Sequence, residues 1–383
     1  MPRVRDLGIY ESALPCGPLN GITDVPGVAV GHCTVIEGEG AFTPGTGPYR
    51  TGVTVVVPHP GNLYEDKVAG AAYAINGFGK YTGLEQVRET GSLESPIALT
   101  GTLNMPRVAD ALITLALEAN PYIGVGFEAT GRQGYASVNP VVGECNDGFL
   151  NDMHGRRIGE AELRQALASA STGAVAEGAV GGGTGLSCFE WKGGIGSASR
   201  RVPDQHGGFT LGVLVQSNFG AAAELVVSGV PVGRHIRPPD ARPTNTGETS
   251  DQGSIVMVIA TDAPLDGRQL ERISRRAGFG LARTGSTCHS GSGDVVIAFS
   301  TGYRIPDRPS TPILMRDTLA NEQAAVTTLG QAVVEAIEEA VLNSLFMSET
   351  MIGRDGNTRH GLPVEEIAAW VRKTTESDCT RMP

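Results

Sequence analysis

From Ser254 to Ala260 the chain reads Ser-Ile-Val-Met-Val-Ile-Ala, an apolar and largely β-branched run with no polar alternation, closed by the turn residues Asp262–Pro264. A strand built this way carries apolar side chains on both faces, so both faces must be covered by other layers. Runs of similar character and of strand length recur at Val53–Val57, Thr210–Gln216 and Val295–Phe299. Between them lie segments with helical spacing. Glu65–Ile75 is Ala-rich, and Val108–Leu117 follows Pro106, a residue favoured in the first helical turn. In Glu160–Ala170, Leu163, Ala166 and Leu167 fall on one stripe. Leu270, Ile273 and Ala277 share another face, with Arg272, Arg275 and Arg276 opposite or beside it. The longest helix is predicted over Glu322–Ser348, where Val326, Leu329, Val333, Ile337, Val341 and Leu345 recur at three- and four-residue steps. That stripe is too short for a coiled coil and predicts core packing. The mixture specifies a layered α/β or α+β fold with no internal repeat at a fixed period.

The chain has 383 residues and a formal net charge of −11, which argues against nucleic acid or an anionic membrane as a partner. No apolar stretch reaches the ~18 residues of a membrane span, because Asp110 and Glu118 interrupt the best candidate. The opening MPRVRDLGIY has no signal-peptide core, so a cytoplasmic protein is expected. Cys16, Cys33, Cys145, Cys188, Cys288 and Cys379 are scattered without a C-x-x-C pair and read as reduced thiols. His32-Cys33 and Cys288-His289 are adjacent pairs that lack distant partners, so no metal site is expected. Glycine contributes 53 residues without a G-X-Y period, about twice the usual share, which points to tight turns and close backbone approaches around a site. Gly181-Gly182-Gly183-Thr184-Gly185 and Gly193-Gly194-Ile195-Gly196 match neither nucleotide-binding glycine pattern, so they read as packing or site-lining glycine.

The run that begins at Ser254 is fed by residues 231–253, PVGRHIRPPDARPTNTGETSDQG, which hold almost nothing to bury. A serine that follows glycine and opens a buried strand after a polar loop has the layout of a self-cleaving hydrolase. In such a chain the hydroxyl attacks the preceding peptide bond and the freed serine becomes an N-terminal nucleophile. The plain alternative is a turn that ends in a strand. Division at this point gives residues 1–253 and 254–383; the second piece is too short to stand alone, so one interlocked fold is expected.

Other segments offer partners for that hydroxyl. Thr284–Asp294 is a Gly/Ser loop ending in a carboxylate, and Ser292 with Asp294 could relay hydrogen bonds to a nucleophile, or merely form a turn entering a strand. His289 suggests a Ser-His-Asp triad, but no G-x-S-x-G elbow accompanies it. Asn218, after a predicted strand, offers an amide to an oxyanion or serves as a turn residue. Glu144 lies in what reads as a polar turn, Val142–Gly148, where a lone acid is ordinarily solvated surface.

Several motifs together resemble one family. Asn20-Gly-Ile-Thr-Asp-Val-Pro-Gly-Val28 with Val30-Gly31-His32, and Gly143-Glu144-x-Asn146-Asp147-Gly148 with Leu150-Asn151-Asp152, are similar to segments of the L-aminopeptidase/D-amidase-esterase family, which includes the β-peptidyl aminopeptidases. Lys192-Gly-Gly-Ile-Gly196 with Ser199-Arg200, Gln216-x-Asn218-Phe219-Gly220, Gly253-Ser254, Ala260-Thr-Asp-Ala-Pro264 and Ser292-Gly-Asp294 continue the match in order. The resemblance implies a four-layer α-β-β-α sandwich like that of the ornithine acetyltransferases. It also implies autocleavage at Gly253-Ser254, catalysis without a metal or organic cofactor, and a homo-oligomer of cleaved pairs. Carried over, Ser254 is the nucleophile, Ser292 and Asp294 its supporting network, Asn218 an oxyanion donor and Glu144 a contact for the substrate amine. The implied substrate is a small peptide, amide or ester with a free amine. Two departures stand out: some relatives carry Glu at the position of Asp294, and Phe149 stands where Tyr is expected. An acyltransferase is the alternative enzyme, though those relatives use Thr where Ser254 stands; a non-catalytic binding module is the alternative outside enzymes.

Overall fold

The computed structural model describes residues 1–125, 135–241 and 253–379. Two sheets stack face to face. The first has the order β1 (Ala29–Glu37), β2 (Tyr49–Val57), β5 (Ile97–Gly101), β6 (Val141–Cys145). The second has the order β4 (Ser92–Leu93), β3 (Asp66–Gly77), β12 (Ser292–Pro306), β11 (Gly253–Thr261), β10 (Thr210–Asn218), β9 (Ile195–Arg201). Two short hairpins, β7 (Ser187–Cys188) with β8 (Trp191–Lys192) and β13 (Met351–Ile352) with β14 (Thr358–Arg359), lie outside them. The helices are α1 (Leu84–Thr90), α2 (Met105–Ala119), α3 (Glu160–Ala168), α4 (Gly267–Ser274), α5 (Ala277–Arg283), α6 (Glu322–Phe346) and α7 (Val364–Cys379).

Three apolar clusters match the three interfaces of an α-β-β-α sandwich. Leu99, Val141, Leu214, Val256, Val258 and Ile297 fill the space between the sheets. Val53, Ala98 and Val142 of the first sheet meet Val108, Leu112 and Leu163 of α2 and α3. Ile255, Met257 and Val296 of the second sheet meet Leu270, Ile273, Leu329 and Val333 of α4 and α6. Each unbroken apolar run is thus a strand sealed on both faces, for the reason its composition demanded. Among the described residues no helix is long and apolar enough to cross a membrane.

Two helical expectations are corrected. The Ala-rich segment Glu65–Ile75 is the strand β3, which pairs antiparallel with β12. Its small side chains suit a strand over which α4 passes closely: a Cβ on Gly267 would lie 3.1 Å from the Gly70 carbonyl oxygen. Pairing and packing override alanine's intrinsic preference for helix. The face shared by Leu270, Ile273 and Ala277 is divided between α4 and α5, which break at Arg275 and Arg276, although all three residues are fully buried. The long predicted helix is α6, and its entire stripe from Val326 to Leu345 is buried.

β11 lies between β10, which is antiparallel to it, and β12, which is parallel. Residues 242–252 of the polar loop lie outside the described residues.

Candidate active site

Register assembles the site at one end of the second sheet. Asn218 on β10 stands opposite Ser254 on β11, and Ser254 stands beside Gly293 on β12, with Gly253 beside Ser292. Strand residues alternate between faces. Val256, Val258 and Ala260 point between the sheets, whereas Ile255, Met257 and Ile259 point to the helices. Ser254 therefore turns its hydroxyl into the space between the sheets. It is buried, and among the described residues its Oγ has no hydrogen-bond partner. Asn218 shares that face with Leu214, and its Oδ1 accepts from the Ser187 backbone N–H at 2.9 Å. The amide is thereby oriented, with its oxygen occupied and its NH2 as the end that can donate.

Ser292 and Asp294 lie on the opposite face, the one shared with Val296 and Ala298. Ser292 Oγ donates to Asp294 Oδ1 at 2.7 Å. A Cβ on Gly253 would sit 3.2 Å from Ser292 Oγ and 3.1 Å from the Phe219 Cα, so the chain passes this pair closely at the one residue without a side chain. The pair faces Gly253 and the backbone entering Ser254; the Ser254 hydroxyl points to the other side of the sheet. Burial pushes the Asp294 carboxyl up, against the opposing pull of its bonds with Ser292 and Cys288 and of the charge on His289. Asn76 on β3 braces the loop by donating through Nδ2 to the carbonyls of His289, Ser290 and Ser292. The His289 ring is bonded to Glu224 at 2.8 Å, on the Asp294 side of the sheet.

Glu144 is not in a polar turn. It lies in β6 and is 3% exposed, which excludes the solvated-surface reading. Its Oε1 accepts from the Lys80 N–H at 2.8 Å and its Oε2 from the Thr102 hydroxyl. The neighbouring Cys145 points inward and donates from Sγ to the Ser254 carbonyl at 3.6 Å and to the Gln216 carbonyl at 3.4 Å. Burial pushes that thiol up to about 12.

A cleft of about 330 Å³ opens beside these residues, with Asn146, Phe149, Asn218, Phe219 and Gly253 in its wall. Glu190 and Arg359 add opposite charges to the same wall. Glu190 arrives on the β7–β8 turn, where Phe189 (φ 49°) and Glu190 (φ 62°) are both left-handed. That conformation costs roughly 1–2 kcal/mol for each non-glycine residue. Phe189 offsets the strain by full burial and an edge-on contact with Phe219, ring centroids 5.1 Å apart. Arg359 bonds Ser187 Oγ at 2.9 Å, pairs with Asp240 at 3.0 Å and lies 3.6 Å over the Phe149 ring. Neither residue carries a signal readable from the sequence, because a Phe-Glu pair is not a left-handed turn signature.

The adjacent His and Cys pairs do not converge on a common point. His32 Nδ1 bonds Thr54 Oγ1 at 2.9 Å, while Cys33 donates to Gln165 Oε1 at 3.2 Å. Among the described residues no group of three or more His, Cys, Asp or Glu is placed to hold a metal ion.

The family model for peptidase family S58 matches residues 20–359. A β-peptidyl aminopeptidase, BapA of Sphingosinicella xenopeptidilytica, is 42% identical over 377 residues, covering 96% of this chain and 90% of that protein. Among solved structures, a Burkholderia sp. β-aminopeptidase superimposes with a TM-score of 0.84 at 40% identity, over 97% of this chain and 99% of the other. The L-aminopeptidase D-Ala-esterase/amidase of Ochrobactrum anthropi, described as a new variant among the Ntn hydrolase fold, superimposes with a TM-score of 0.86 at 36% identity, over 98% and 99%.

Proposed function

The chain belongs to peptidase family S58 and is an aminopeptidase; we propose that it matures by cutting itself before Ser254 and then works through an acyl-enzyme on that residue. The observation that carries this reading is a buried Ser254 hydroxyl, unpartnered among the described residues, at the start of a central strand and flanked by an oriented Asn218 amide.

In the uncut chain Ser254 Oγ attacks the Gly253 carbonyl carbon. The Gly253–Ser254 C–N bond breaks, the hydroxyl proton passes to the departing nitrogen, and an ester remains. Water hydrolyses that ester, giving a Gly253 carboxylate and restoring the Ser254 hydroxyl with a new α-amine. Such an amine titrates near ~7.7–8, so part of it is neutral at pH 7 and able to act as base. It would emerge on the Gly253 side, where the Ser292–Asp294 pair lies to hold and orient it. In turnover the same hydroxyl attacks the substrate carbonyl, the Asn218 NH2 donates to the oxyanion, and water releases the acyl group.

The substrate we infer is a small peptide, amide or ester with a free amine. Glu144 is our candidate for the amine contact, because a carboxylate has about four acceptor sites and two are engaged by Lys80 and Thr102. We further propose that the pieces 1–253 and 254–383 remain one interlocked unit, and that such units form a homo-oligomer without nucleic acid or membrane.

A denaturing gel tests the central step. Wild-type protein should show bands of about 26 and 14 kDa, by residue share of 39.8 kDa, and Ser254→Ala one inactive, full-length band. Active wild-type protein that runs as a single full-length band would refute self-cleavage.

A further inference from the structure

Among the described residues, Tyr81 has the second unpartnered hydroxyl at this end of the sandwich. The segment Lys80–Thr82 runs along β6: Lys80 N–H bonds Glu144, and Thr82 exchanges backbone hydrogen bonds with Val142 in both directions. Tyr81 therefore lies beside Gly143, on whose inner side a Cβ would come within 2.9 Å of Val256. Directed the same way, the Tyr81 side chain crosses between the sheets and packs on the interlayer cluster. Its hydroxyl ends beside Gly293, where an added Cβ would run into it. Gly293 is the register partner of Ser254 and faces the same space, one strand spacing of about 4.8 Å away.

Ser254 Oγ and Tyr81 Oη are thus two buried hydroxyls on one face, both without a hydrogen-bond partner among the described residues. A buried hydroxyl left unpaired costs stability, and Tyr81→Phe would remove that cost with little change of shape. Asn218 borders Ser254 on the β10 side, and Tyr81 borders it on the β12 side. Phe149 in the cleft wall supplies no hydroxyl.

We propose that the Tyr81 hydroxyl is a second oxyanion donor, bonding the charged oxygen of the tetrahedral intermediate on Ser254 together with the Asn218 NH2. The inference rests on Ser254 being the nucleophile. A tyrosine in this role must keep its proton. Burial, with the nearby Cys145, Glu144 and Asp294, pushes the phenol well above its ordinary value, so it is a donor throughout the working pH range.

The test is Tyr81→Phe, measured beside wild type by kcat and KM on an amino-acid p-nitroanilide, by melting temperature, and by mass-spectrometric mapping of a fluorophosphonate label. The expected result is a fall in kcat of about 100-fold or more per cut chain, with KM within twofold and an unchanged or raised melting temperature. A variant that melts normally but stays uncut also supports the inference, since self-cleavage passes through an oxyanion on the same serine. Label on Ser254 with kcat in Tyr81→Phe within twofold of wild type would overturn the Tyr81 assignment alone. Absence of label from Ser254 in active wild-type protein would overturn the nucleophile and this inference with it.

Discussion

Replacing Asn218 separates its two ends, the Oδ1 that accepts from Ser187 and the NH2 proposed to meet the oxyanion. Asn218→Ala removes both the Oδ1 that accepts from Ser187 at 2.9 Å and the NH2 assigned to the oxyanion. Losing one oxyanion donor costs about 2.7–4 kcal/mol of barrier, or roughly 100- to 1,000-fold in kcat. Losing the Ser187 contact removes one hydrogen bond, about 1 kcal/mol of stability. Asn218→Asp keeps the acceptor for Ser187 in nearly the same shape but substitutes a carboxylate oxygen for the NH2. That oxygen repels the developing charge. The aspartate variant should therefore melt near wild type yet lose more activity than the alanine variant. The assay is kcat and KM on an amino-acid p-nitroanilide, normalised to cut chain, with calorimetric melting of each protein. An aspartate variant as active as the alanine variant, or more so, would show that no oxyanion meets this side chain.

Glu144→Gln should lower kcat/KM on a free-amine substrate by about tenfold to 100-fold, the worth of a hydrogen bond between charged groups, and leave the N-acetyl counterpart nearly unchanged. A variant that keeps the wild-type preference for the free amine would move amine recognition elsewhere, with the cleft carboxylate of Glu190 next in line. A pH effect is expected at Asp147, which burial raises to about 6 from 3.8 despite its bond from Thr51. The folded chain then holds this proton more tightly than the unfolded one, so its contribution is full below pH ~4 and is lost as pH rises through 6, by about 3 kcal/mol. Asp147→Asn should flatten the decline of melting temperature between pH 4 and 7; an unchanged slope would refute the assignment.

The legible parts of the fold were those in which one segment carried its own answer. Four apolar runs had to be strands sealed on both faces, and the stripe of α6 had to be core. β3 was not legible, because what makes its alanines a strand is β12 alongside and α4 above, both remote in the chain. The site divides in the same way. Ser254, Ser292, Asp294, Asn218 and Glu144 were singled out by ordered motifs, but motifs do not specify faces. Only register puts Asn218 on the side of the Ser254 hydroxyl and the Ser292–Asp294 pair on the side of Gly253. Tyr81, Asn76, Glu190 and Arg359 are single polar residues in segments without a pattern, and they acquire meaning only from what they meet in space.

The strand order also bears on how such an enzyme is made and lost. β11 and β12 come from the last third of the chain, yet β10 and β3, from the first two thirds, hold them on either side. A cut at Gly253–Ser254 would place a chain end in the middle of one hydrogen-bonded sheet. Before the cut, bringing β11 to β10 is a closure within one molecule; afterwards it is a meeting of two, and the effective concentration supplied by the loop is gone. The uncut chain should refold at a rate independent of dilution, whereas denatured mature protein should refold more slowly the more dilute it is. Self-cleavage would then be a one-way commitment. On that reading the native state would endure through a high barrier to opening, the route by which it was first reached having been removed.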